Sequence, residues 1–192
     1  MDTIPKHDVS DYIVRLTRVH EYASLDPFET LLKILKDKAL LGGTGYIMEK
    51  RTAICFTEST LVALDKVFRS DQAQFRYKPF GIMIAKFLAF GWDALPVIYQ
   101  PKADYELLHE SKKHLHVTYQ LNSSDNADFT WEREWRMARY KLELDPLLVH
   151  VLVPSQEMKT AVEARLSPQE NPPERPWRFI VLDELITAAA SY

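Results

Sequence analysis

Seven consecutive residues, Trp131-Glu132-Arg133-Glu134-Trp135-Arg136-Met137, combine two carboxylates, two guanidiniums and two indoles before an apolar end. Read as a strand, the stretch alternates its side chains between faces. Glu132, Glu134 and Arg136 then line one face, and Trp131, Arg133, Trp135 and Met137 the other. Two acids and a base on one short ridge suit general acid–base work, in which one carboxylate orients or deprotonates an attacking group. Read as a helix, the same stretch is an amphipathic turn with Glu132 and Arg136 as an i,i+4 pair. Charge runs of this kind are usually solvated faces, so the rest of the chain decides between the two.

Other residues could join such a ridge. Arg15 shares a strand face with Thr17 in Tyr12-Ile13-Val14-Arg15-Leu16-Thr17-Arg18, which suits an anion at a cleft or an edge-strand ion pair. The strand Thr52 to Glu58 runs into Thr57-Glu58-Ser59-Thr60, which caps a helix from Leu61 to Phe68. Hydroxyls and free N–H groups meet at such a junction. Glu58 there is a site candidate or a first-turn acid favoured by the helix dipole. Phe75-Arg76-Tyr77-Lys78-Pro79-Phe80 reads as an aromatic–basic loop. Its rings and cations can stack on a base and neutralise phosphate, or cover a core edge. His109, His114 and His116 lack a compact zinc spacing and no second cysteine supports one, so no metal site is expected. Cys55, amid apolar neighbours, reads as a small core residue.

The elements that must position these groups follow from composition and pattern. The 192 residues are 46% hydrophobic and 27% charged, enough for one domain with a real core. A net charge of −3 gives no footprint for bulk nucleic-acid binding. The single cysteine, the absence of a leader-like N-terminus and the short apolar runs fit a cytoplasmic chain with no membrane span. Residues 1–11 read as a polar arm, 12–166 as the core, 167–176 as a Pro-rich linker and 177–192 as a last strand and helix. Asp26-Pro27-Phe28-Glu29 starts a helix that ends near Asp37. Gly42-Gly43-Thr44-Gly45 is a turn without phosphate-loop spacing. Strands are expected over 81–85, 96–100, 147–153 and 179–182, and helices over 86–90, 105–108 and 154–165. The order is α+β: a single domain with a central, mostly antiparallel or mixed sheet flanked by short helices.

Taken in order, Tyr12 to Arg18, Ile54-Cys55-Phe56-Thr57-Glu58, Tyr77-Lys78-Pro79-Phe80-Gly81-Ile82, Pro96-Val97-Ile98-Tyr99 and Glu132-Arg133-Glu134-Trp135-Arg136 resemble the AbiGi-like family of abortive phage-infection proteins. The likeness covers roughly residues 12 to 140. The layout is similar, more distantly, to the ADP-ribosyltransferase fold, which sets a basic residue on its first strand, hydroxyls on a middle strand and a Glu pair on a late one. Glu58 interrupts the hydroxyl run that the fold usually carries. The resemblance implies a toxin-like, NAD-dependent ADP-ribosyltransferase of phage defence. In it Glu134 serves the ribose, Glu132 the acceptor, Arg15 or Arg18 the phosphates and Thr57 a supporting hydrogen bond, with Tyr77 or Phe80 stacked on nicotinamide. NAD is then a substrate, the acceptor is nucleic acid or protein, and an antitoxin or chaperone protein is the implied partner. The competing readings are a non-catalytic phage-defence antitoxin or sensor that binds a protein partner, and a nuclease with Glu58, Glu132 and Glu134 around a divalent ion. The flanking arginines disfavour the second.

Overall fold

The computed structural model describes residues 9–18, 26–45, 47–69, 77–121, 128–166 and 176–189. Most of the expected arm and linker, at 1–8 and 167–175, lies outside them, as do Phe75 and Arg76. In chain order the elements are β1 (Tyr12–Arg18), α1 (Pro27–Asp37), β2 (Ala39–Leu41), β3 (Ile54–Thr57), α2 (Leu61–Phe68), β4 (Tyr77–Ala85), α3 (Lys86–Gly91) and β5 (Leu95–Pro96). There follow β6 (Ile98–Gln100), β7 (His116–Thr118), β8 (Glu134–Met137), β9 (Lys141–Glu143), β10 (Val149–Val153), α4 (Gln156–Leu166), β11 (Phe179–Val181) and α5 (Leu182–Ala189). The fold is α+β. Its largest sheet is mixed and mostly antiparallel, in the order β11-β10-β4-β1-β3-β8-β5; β2-β9 and β6-β7 form two-stranded ladders.

The chain forms two compact units. One takes residues 14–39, 60–85 and 143–192. Its β10 runs antiparallel to β4 and parallel to β11. Alternation sends Val14, Leu16, Met83 and Leu152 to one face, where they bury with Leu64 of α2 and Leu182 of α5. On the other face Phe80 meets Phe28 of α1 edge-on at 5.9 Å. The α1 start reads directly from sequence: Asp26 Oδ1 accepts the Glu29 N–H at 2.8 Å and Pro27 occupies the first turn. Leu31, Leu32 and Leu35 bury fully, each contributing roughly 1.5–3 kcal/mol. Lys38 ends the helix in the left-handed region at φ 46°. Gly81 is required by crowding, since a Cβ there would lie 2.5 Å from the Arg15 carbonyl oxygen.

The other unit takes residues 1–13, 40–59 and 86–142. Its β3 and β8 pair antiparallel as Ile54↔Met137, Cys55↔Arg136, Phe56↔Trp135 and Thr57↔Glu134, and β5 pairs with the other edge of β8. Two 3-10 turns, Lys102–Leu107 and Glu110–Leu115, join the parallel β6-β7 ladder. Tyr105, Leu115, His116 and Val117 are buried there.

Four local expectations change. Residues 77–80 are strand, not loop, because Tyr77 and Phe80 each find apolar cover on opposite faces of β4. The strand expected over 96–100 breaks at Val97, whose N–H turns to the Glu134 carbonyl. The helix expected over 105–108 is a 3-10 turn. The apolar run from Leu147 starts its strand only at Val149, since Asp145 accepts the Leu147 and Leu148 N–H groups and holds a turn.

Candidate functional site

The opening motif is half turn and half strand. Phe129 to Arg133 closes a 3-10 turn over Thr130–Glu132, and Arg133 takes left-handed angles, φ 44° and ψ 53°. For a residue with a Cβ this costs roughly 1–2 kcal/mol. Hydroxyls of β3 and the residues after it hold the turn in place. Thr57 donates to the Glu132 carbonyl at 2.5 Å and Ser59 to the Trp131 carbonyl at 2.7 Å. The Glu58 N–H donates to the Arg133 carbonyl at 3.1 Å. The expected ridge of Glu132, Glu134 and Arg136 on one strand face is therefore corrected: Glu132 sits in the turn, and only Glu134 and Arg136 share the face of β8. Thr57 stands directly across from Glu134 in the ladder.

That face carries a buried charge hub. Arg136 is 5% exposed. It donates through Nε and Nη2 to the two Glu134 carboxylate oxygens, both at 3.0 Å, and through Nη1 to the His114 and His116 carbonyls at 2.9 and 2.8 Å. Burial disfavours the guanidinium charge, but the Glu134 carboxylate and Arg136's own hydrogen bond to Cys55 outweigh it, so the Arg136 pKa is raised. The Tyr99 hydroxyl accepts the Glu134 N–H at 3.1 Å and donates to the Phe129 carbonyl at 3.2 Å. Burial pushes that phenol upward.

The opposite face of the same ladder holds a second cluster. Glu58 accepts from Lys86 Nζ at 2.5 Å and from Trp135 Nε1 at 2.6 Å. Lys86 also donates to the Ser10 carbonyl at 2.8 Å and lies 5.9 Å from the Trp135 ring centre. Its backbone N–H reaches the Asp11 carbonyl. Sequence reasoning did not find Lys86; a lone cation inside the apolar run Ile84 to Phe90 was the available signal.

Thr57, Glu132 and Glu134 thus come together in one unit. Arg15, Arg18, Tyr77 and Phe80 belong to the other. There the Arg18 guanidinium covers the Tyr77 ring at 4.8 Å and donates to its hydroxyl at 2.9 Å. Phe80 is engaged by Phe28, and Arg15 is half-buried on β1. His109 bonds Ser111, while His116 is buried. Among the described residues no three His, Cys, Asp or Glu side chains stand together as a metal site, and no helix is long and apolar enough to cross a membrane. Comparison of the chain with family models, with curated proteins and with solved structures gave no match.

Proposed function

We propose that the protein is a NAD-dependent ADP-ribosyltransferase of ADP-ribosyltransferase-like fold, acting in the cytoplasm in phage defence on a nucleic-acid or protein acceptor. The observation that carries this reading is the pairing of Thr57 with Glu134 on adjacent strands, beside the turn that bears Glu132. Breaking the nicotinamide–ribose bond passes through an oxocarbenium-like state. A fixed carboxylate beside the ribose stabilises the developing positive charge. Arg136 fixes Glu134 through both oxygens. A carboxylate has about four lone-pair positions, so two remain for a ribose hydroxyl. Glu132 sits in the turn before the strand and serves the acceptor as its base. Purified wild type and Glu134→Gln are incubated with labelled NAD, then protein and RNA are examined for ADP-ribose. Transfer by the wild type falling about 10²–10³-fold in the variant is expected, and equal transfer by both refutes the assignment.

A second reading, a non-catalytic antitoxin or sensor, is favoured by Phe87 and Phe90. They lie three apart on α3 and are 75% and 60% exposed. Absence of transfer together with a protein that co-purifies with the wild type, and not with a Phe87→Ser, Phe90→Ser variant, selects it.

A further inference from the structure

The segment 98–119 is held to β8 by two side chains, Arg136 and Tyr99, whose hydroxyl accepts the Glu134 N–H. Arg136 Nη1 reaches the carbonyls of both His114 and His116. The His116 imidazole lies just inside this contact, 2% exposed. Its Nε2 faces the Pro101 carbonyl at a long 3.4 Å, and its ring stands edge-on to Tyr105 at 5.2 Å. Its Nδ1 is buried with no hydrogen-bond partner. The proton of the neutral ring therefore belongs on Nε2, where a carbonyl can accept it.

Protonation would place an N–H at Nδ1 in a spot that offers it no acceptor. The charged groups around the ring come from four elements, β8, the 102–107 and 110–115 turns and the 48–51 turn. Arg136 on β8 opposes a second positive charge, and Asp104 on the 102–107 turn favours it weakly. The Tyr105 hydroxyl is held between Arg51 and Glu49, with Lys113 over its ring. His114, half-buried on the same segment, is opposed by Arg136, Lys112 and Arg51.

We propose that His116 is an acid latch. Neutral, it keeps the 98–119 segment closed on Arg136; protonated, it opens that segment and frees the guanidinium from the two carbonyls. Desolvation first and Arg136 next lower the His116 pKa below the ordinary 6.5. The sign follows. The open segment binds the proton more tightly than the closed one, so closure is favoured above the open-state pKa and weakens as pH falls through and below it. The latch stands whether or not the protein transfers ADP-ribose, since its test reads the segment alone.

Amide hydrogen exchange of full-length protein at pH 7.5 and pH 5.0, corrected for intrinsic rates, tests it. Protection across 98–119 is expected to fall about three-fold or more at the lower pH, with β10 amides unchanged. His116→Asn should abolish the pH dependence, and His114→Asn should retain it. NMR titration of the wild-type imidazoles covers the case in which His116→Asn does not fold: His116 should titrate in step with the loss of protection. Protection that is flat with pH, a loss that survives His116→Asn, or a loss while His116 stays neutral each overturns the latch.

Discussion

Replacing Arg136 with Met keeps much of the volume and removes every polar contact of the hub. The two hydrogen bonds to Glu134 and one each to the His114 and His116 carbonyls disappear, together with the one to Cys55. The Arg136 and Glu134 side chains are 6% and 12% exposed, so water screens the pair little. What remains is a buried carboxylate without its partner, which costs about 3–5 kcal/mol. Glu134→Gln alone should cost about 1–2 kcal/mol, since the amide oxygen still accepts from Arg136 and the guanidinium keeps both carbonyls. The double variant leaves no lone carboxylate. It should therefore be less destabilised than the sum of the singles, with a coupling of about 2 kcal/mol. Urea unfolding of the four proteins at pH 7.5 measures the cycle. Additive losses, or an Arg136→Met loss below about 1 kcal/mol, would refute the claim that this pair is a buried and mutually dependent unit.

The second cluster and the glycines give further tests. Glu58→Gln should destabilise by about 1–3 kcal/mol, because Lys86 loses its carboxylate while partly buried beside Trp135. The Trp135 indole N–H resonance should shift, and an unmoved signal rejects the bond. Gly81→Ala should cost about 1–3 kcal/mol by overpacking against the Arg15 carbonyl. Gly43, where a Cβ meets nothing within 4 Å, should accept Ala with a gain of about 0.4–1 kcal/mol. Thermal melts of the two alanine variants moving together would sink that contrast.

The sequence exposed what local chemistry decides. Asp26-Pro27 announced α1 because the cap and the fixed φ act within three residues. Val14, Leu16 and Met83 announced buried strand faces because alternation is local too. The Trp131–Met137 stretch resisted for the opposite reason. Its local pattern favours an unbroken strand, yet the hydroxyls that bend it come from 72 and 75 residues away. The partner of Glu58 was equally hidden: Lys86 lies 28 residues on and Trp135 lies 77 residues on. The resemblance placed Thr57, Glu132 and Glu134 in adjacent roles, and they are neighbours. It gave no hint that Arg136 holds both carboxylate oxygens of Glu134.

The alternation of β8 explains the second half of the motif, its acid, its base and its indole. Glu134 and Arg136 point to one face and Trp135 to the other, so each face has its own ion pair, and the Trp135 N–H ties the strand to the second through Glu58. A substitution on either face therefore perturbs the strand that carries the other. This sets a requirement on any functional test. Arg136→Met and Glu58→Gln both strip a buried charge of its partner, so lost activity in them reports a moved strand as readily as lost chemistry. Glu134→Gln likewise takes the counter-ion from Arg136, but it retains shape and an acceptor oxygen, so it is informative when the position of the strand is read separately. A folded Glu134→Gln protein with the wild-type Trp135 indole signal and no transfer would place the chemistry on the Glu134 charge. A folded one with full transfer would leave Glu134 as the structural counter-ion of Arg136 and nothing more.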